Sequence, residues 1–297
     1  MPDMPSPLFS RLCLIGIGLI GSSLARAVKA KSLARHIACF SAPDGSMETA
    51  LRLGIVDSIH DTAVQAAEGA DLVVLAVPAG VMGDLARTLV PALAPGCILS
   101  DVGSVKQGMV STIAPLLPAG VHLVPGHPIA GTEHSGPEAG FAELFQDRWC
   151  ILTPPAETDP EAIRKVRTLW ESIGSRVDVM DAHHHDQVLA ITSHLPHLIA
   201  YTIVGTADDL QDDLKREVIQ YSASGFRDFT RIAASDPTMW RDIFLENRTA
   251  VLETLQRFTE DLTAMQRAIR RGDGEALHSL FTRTRAIRRS IIDARQA

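Results

Sequence analysis

The chain has 297 residues, of which 46% are hydrophobic and 21% charged, with a formal net charge of -7. That length accommodates two domains whose cores need neither metal nor disulfide, and the balance excludes wholesale disorder. A net negative chain lacks the clustered Lys and Arg that bind phosphate backbones, so no nucleic-acid partner is expected.

Leu12 to Ile15 reads as a short strand, followed at once by Gly16-Ile17-Gly18-Leu19-Ile20-Gly21 and a helix from Ser22 to Ala30. A second strand at Ile37 to Phe40, a helix near Ser46 to Leu53 and an apolar strand from Ala70 to Val77 continue the alternation. Pro78 cuts that last run, and Met1 to Ser10 lacks a basic segment followed by an apolar one, so neither a membrane span nor an export signal is expected. Cys97 to Val102, Val121 to Val124, Trp149 to Thr153 and Val177 to Met180 read as further strands, the last two separated by a helix from Pro160 to Ile173. Strands alternating with helices predict a parallel, doubly wound α/β sheet.

After Asp181 the pattern becomes helical. Val251, Leu255, Phe258, Leu262, Met265 and Ile269 follow steps of four and three along one face, and Arg271-Gly272-Asp273-Gly274 breaks the helix before a last one near Glu275. The domains are therefore drawn as 8–181 and 182–297. The four cysteines, Cys13, Cys39, Cys97 and Cys150, lie in or beside apolar runs without ligand spacing, which fits small core residues in a reducing compartment, the cytoplasm.

The glycine loop stands between a strand and a helix, the context in which its first Gly allows a tight turn, its second admits a pyrophosphate and its third permits close packing. A dinucleotide, NAD or NADP, is expected on Gly16 to Gly21, with the strand end Ala76-Val77-Pro78 beside it. At the end of the second strand, where an acid commonly binds the ribose 2'-hydroxyl, stands Ser41. Asp44 comes three residues late and no Arg or Lys follows, so the choice of cofactor stays open.

Asp101-Val102-Gly103-Ser104-Val105-Lys106 lies at the C-terminal end of a strand, the side on which such sheets bind ligands. Ser104-Val105-Lys106-Gln107 is also a capping box, so Ser104 reads equally as a helix N-cap. His127, flanked by turn formers in Gly126-His127-Pro128, is suited to accept a hydroxyl proton near neutral pH, or to fix its loop. His183-His184-His185-Asp186 opens a helix and reads as a capping or solvated feature, with no convincing metal spacing. Pro196, in Ser193-His194-Leu195-Pro196-His197, should kink that helix. Arg231 offers a bidentate fork to a carboxylate, or a surface ion pair.

Gly126 to Glu133, Ser193 to His197, and the run from Gly225 through Trp240 to Asn247 together resemble the prephenate and arogenate dehydrogenases of tyrosine biosynthesis. The resemblance implies a Rossmann-type domain followed by an all-helical domain that dimerises, the plan of 6-phosphogluconate dehydrogenases. It implies oxidative decarboxylation of prephenate or arogenate by a homodimer. On this basis His127 takes the proton of the ring hydroxyl and Ser104 orients that hydroxyl. Arg231 holds a substrate carboxylate, His197 lines the pocket, and Thr132, Glu133 and Trp240 fall in matching segments. A β-hydroxyacid dehydrogenase shares this plan but uses a lysine on the helix linking the domains, whereas beyond Lys165 this chain has only Lys215, in a polar stretch away from the linker; a silent dinucleotide-binding module would not need His127, Ser104 and Arg231 together.

Overall fold

A computed structural model of the chain describes residues 7–293, apart from 133, 211–216, 218, 219 and 222. Glu133 and Lys215 thus lie outside the described residues. The chain divides into two compact units, Met1–Arg248 and Thr249–Ala297.

The first unit is built on a six-stranded sheet. Strand β1 (Phe9–Ile15) pairs in parallel with β2 (Ala34–Phe40) and β4 (Leu72–Leu75), β2 continues to β3 (Ser58–Ile59), and β4 to β5 (Ile98–Asp101) and β6 (His122–Leu123). The order is β3-β2-β1-β4-β5-β6. Between β1 and β4 the winding reverses, which opens a crevice at their C-terminal ends. The alternation of side chains explains the unbroken apolar runs: Leu12, Leu14, Leu72 and Val74 enter one core, while Cys13, Ile15, Val73 and Leu75 enter the core on the opposite face. Burying each of the larger side chains contributes about 1.5–3 kcal/mol. All four cysteines are buried and free, and burial pushes the thiols of Cys39 and Cys97 up to about 12.

The strands after β6 do not extend this sheet. Pro125 has no N–H to give to a ladder, and beyond it β7 (Gly126–Pro128) pairs antiparallel with β8 (Trp149–Leu152), itself parallel to β9 (Arg176–Val179). Helix α6 (Pro160–Ser172) links β8 and β9, with Asp159 as N-cap and Trp170 packed edge-on against Phe145 at 5.2 Å.

Helix α7 (Ala182–Leu189) runs through a π-helical turn (Ala190–His194) into α8 (Leu195–Asp208). The sequence predicts a kink at Pro196; the π-helical turn stands just before it, where the proline has no N–H to give back to the preceding turn. By length and composition Ala182–Asp208 is sufficient to cross a membrane. His185, Asp186 and His194 on it are buried in polar contacts within the fold, while Ile191, Ile203 and Val204 are exposed. Helix α9 (Ser224–Thr230), the turn Arg231–Ala234 and α10 (Pro237–Glu246) complete this unit.

The second unit comprises most of α11 (Arg248–Arg271) and α12 (Gly274–Asp293), joined at Gly272, whose φ of +65° favours glycine. Leu262, Ile269, Phe281 and Ile287 are each more than half exposed.

Candidate active site

The glycine loop has the shape of a dinucleotide cradle. Gly16 has φ +101°, and a Cβ there would stand 2.3 Å from the carbonyl oxygen of Ala76; a Cβ on Gly21 would stand 2.3 Å from that of Gly16. Over Gly18 there is open space. Gly18 is the N-cap of α1 (Leu19–Ala30), which has no side-chain cap and no acid in its first turn, so its N–H groups and positive potential are left for an anion. These residues fit a dinucleotide pyrophosphate. Ile17 is fully buried in the core, so only its backbone is free to contribute. Ala76 and Val77 are half-buried, and Pro78 is exposed as the N-cap of α4 (Ala79–Leu89). Ser41 is half-buried, and Asp44 turns back to accept the Ser46 N–H at 3.0 Å.

Ser104 is not a helix cap. Helix α5 (Gln107–Ile113) begins beyond the capping box, and a distant residue caps it: Asp186 accepts the N–H of Lys106 at 2.9 Å on one oxygen and that of Gln107 at 2.9 Å on the other. Ser104 stays on a half-buried bend between β5 and α5. Beneath it, Asp101 and Lys106 form a fully buried ion pair. Asp101 also accepts the Gly103 N–H at 2.7 Å and the Gly126 N–H at 3.2 Å, and Lys106 Nζ donates to the Gly126 carbonyl at 2.9 Å.

His127, on β7, is 7% exposed and heads a buried chain of hydrogen bonds. Its Nδ1 lies 2.8 Å from His185 Nε2, and His185 Nδ1 lies 2.8 Å from Asp186 Oδ1. The chain fixes both tautomers. A carboxylate accepts only, so His185 carries its proton on Nδ1, its Nε2 accepts, and His127 must donate from Nδ1. His127 Nε2 is left with a lone pair. Burial first, then His185, Lys106 and His194, hold His127 well below the usual imidazole range, so it is a neutral base at pH 7. Burial likewise lowers His185, against the opposing pull of Asp186.

The reading of His183 to Asp186 as a capping or solvated group is half right. Asp181 caps α7 by accepting the N–H groups of His183 and His184, whose side chains are exposed. His185 and Asp186 point inward instead. The signal was present: Leu189 and Ala190 are buried, and one turn back on that face lie His185 and Asp186.

A second cluster surrounds Trp240. His197 stacks on its ring at 3.7 Å, His194 meets it edge-on at 6.1 Å, and Val105, Ile243, Tyr201 and Phe244 pack around it. Asn247 joins the clusters, its Nδ2 donating to the Asp186 carbonyl at 2.8 Å and to His194 Nδ1 at 3.1 Å. Burial lowers His194 to about 4. His197 donates from Nδ1 to the Ser193 carbonyl at 2.9 Å, and burial, then the Arg231 charge, lower it. Arg231 is exposed with no ion-pair partner among the described residues, so its fork is free. Thr132 is exposed, its hydroxyl accepting the His134 N–H at 3.3 Å. No hydrogen bond joins Ser104 to His127 among the described residues.

Residues 24–179 match the family model described as prephenate dehydrogenase, nucleotide-binding domain, and residues 181–283 the one described as prephenate dehydrogenase, dimerization domain. The cyclohexadienyl dehydrogenase of Zymomonas mobilis is 43% identical over 281 residues, which cover 95% of this chain and 96% of its own. The prephenate dehydrogenase of Bacillus subtilis is 32% identical over 274 residues, covering 91% and 73%. The crystal structure of prephenate dehydrogenase from A. aeolicus in complex with hydroxyphenyl propionate and NAD+ aligns with a TM-score of 0.88 at 32% identity, over 95% of this chain and 98% of that one. The fold class and the resemblance read from the sequence are both borne out, and the chain belongs to the prephenate dehydrogenase family.

Proposed function

We propose that this protein is an NAD(P)-dependent dehydrogenase that oxidatively decarboxylates prephenate, arogenate or both. The observation that carries the reading is the buried chain His127–His185–Asp186, which leaves His127 neutral with its lone pair on Nε2. That nitrogen takes the proton of the ring hydroxyl. A nicotinamide held on the glycine loop would supply the acceptor for the hydride released from the same carbon. The ring carboxylate leaves as CO2, and the electron pair of its broken bond completes the aromatic ring, giving 4-hydroxyphenylpyruvate from prephenate or tyrosine from arogenate.

The chain's own residues bind and orient. Ser104 positions the hydroxyl, Arg231, without an ion-pair partner among the described residues, holds a carboxylate, and His197, Trp240 and Thr132 line the substrate, with Glu133 adjoining them in sequence. Gly16 to Gly21, Ser41 and Ala76 to Pro78 hold the dinucleotide. We assign the nucleotide to 8–181 and substrate and dimer contacts to 182–297. The family match to a dimerization domain and the exposed apolar side chains of α11 and α12 support a homodimer. The four free, buried cysteines support work in a reducing compartment, the cytoplasm.

Steady-state assays crossing prephenate and arogenate with NAD+ and NADP+ test this reading. Turnover is expected with at least one pairing, with release of CO2 and reduced cofactor in equal amounts. Reduced cofactor formed without CO2, or no turnover in any pairing, overturns it.

A further inference from the structure

Lys106 takes no part in the chemistry above, yet it is fully buried and linked to every part of the base. Its ammonium pairs with Asp101 and donates to the Gly126 carbonyl, one residue before His127. Its backbone N–H donates to Asp186, where the chain from His127 ends. Its partner Asp101 also holds the N–H groups of Gly103, beside Ser104, and Gly126. These donors converge on the carboxylate and none of its described partners is an acceptor, so the site fits the anion although burial raises the Asp101 pKa.

A buried ion pair is a poor way to gain stability, since apolar residues of similar volume often do as well. A charge held here has a distinct effect, because its field in a dry interior is weakly screened. We propose that Lys106 is a positioning residue for the reaction, one that fixes the Ser104 and His127 loops on a shared support and whose positive charge sets the basicity of His127.

Among the described residues, the titratable groups around His127 are few. His185 and Asp186 face it from α7, His194 from the π turn, Asp101 from β5, Lys106 from the start of α5, and Cys150 from β8, where the thiol is kept neutral by burial. Of these, His185, Lys106 and His194 act electrostatically to lower His127. Removing the ammonium therefore makes His127 a stronger base.

The proposal rests on the reading of His127 as the base, so the test has two arms. In the first, the His127 imidazole is titrated by NMR in labelled whole protein, its resonance assigned by its loss in His127→Asn. Wild type is compared with Asp101→Asn/Lys106→Met, which removes both charges, and with Lys106→Gln, whose amide retains a donor for Gly126. The His127 midpoint is expected to rise by about half a pH unit or more in Lys106→Gln, and by less in the double variant, where loss of the Asp101 charge opposes loss of the ammonium. A midpoint within about 0.2 unit of wild type in Lys106→Gln, or no rise in the double variant where that alone folds, overturns the proposal. Loss of folding by circular dichroism in both also overturns it, by making the pair structural. In the second arm, kcat/KM is measured against pH: in wild type its absence for prephenate and arogenate refutes the functional reading alone. In the variants the acid limb should move to higher pH with the NMR midpoint.

Discussion

His127 Nδ1 and His185 Nε2 stand 2.8 Å apart in the interior, and the second ring passes to the first the polarity of a carboxylate that His127 never touches. His185 Nδ1 is committed to Asp186, so the proton between the rings belongs to His127. The base nitrogen is thereby chosen by a residue of α7.

Replacing Asp186 with Asn should reverse that choice. The amide can donate to His185, which then offers N–H rather than a lone pair to His127. We expect kcat to fall by a factor on the order of 10² with KM less affected, and His127→Asn to lose at least as much while cofactor affinity, read by fluorescence titration, stays near wild type. If Asp186→Asn turns over within about threefold of wild type, the tautomer does not matter to the rate.

Arg231 should reveal itself in KM. Arg231→Ala is expected to raise KM for substrate by about tenfold or more with a smaller change in kcat, and Arg231→Lys to fall between, since an ammonium lacks the planar fork. An unchanged KM in initial-rate measurements would assign the carboxylate to another residue.

Acid should destabilise the fold through its buried histidines. His194 is lowered from 6.5 to about 4, so between those values the unfolded chain binds a proton that the folded chain refuses. Stability is then full above the unfolded value and is lost as pH falls toward the folded one, by about 2 kcal/mol at pH 5 from His194 alone. His127 adds a loss of the same sign. Urea midpoints at pH 7.5 and pH 5 measure this, and a midpoint that does not decrease would mean that His194 is protonated inside the fold.

The nucleotide half was legible because its signals are local. Gly16 and Gly21 are required by backbone contacts a Cβ would violate, and β1 and β4 alternate between two cores within a few residues. The motifs of His127, His197 and Trp240 were legible as segments. Their wiring was not, because it joins residues far apart in the chain. Ser104 satisfied a local capping rule, yet the cap of α5 came from Asp186. In sequence, Asp101 and Lys106 stand at the ligand-binding end of a strand, and only the fold shows them buried against each other.

The π turn from Ala190 to His194 has a geometric effect on which histidines meet. In an unbroken α-helix, with about 100° per residue, the steps from His185 to His194 sum to about 900°, which puts the two on opposite sides. A π turn takes in one extra residue and so returns roughly one step of that rotation. His194 swings toward the side already taken by His185 and Asp186, where Asn247 can hold both His194 and the Asp186 carbonyl. One surplus residue in a helix acts here as a phase shifter, turning two separate histidine motifs toward a common interior.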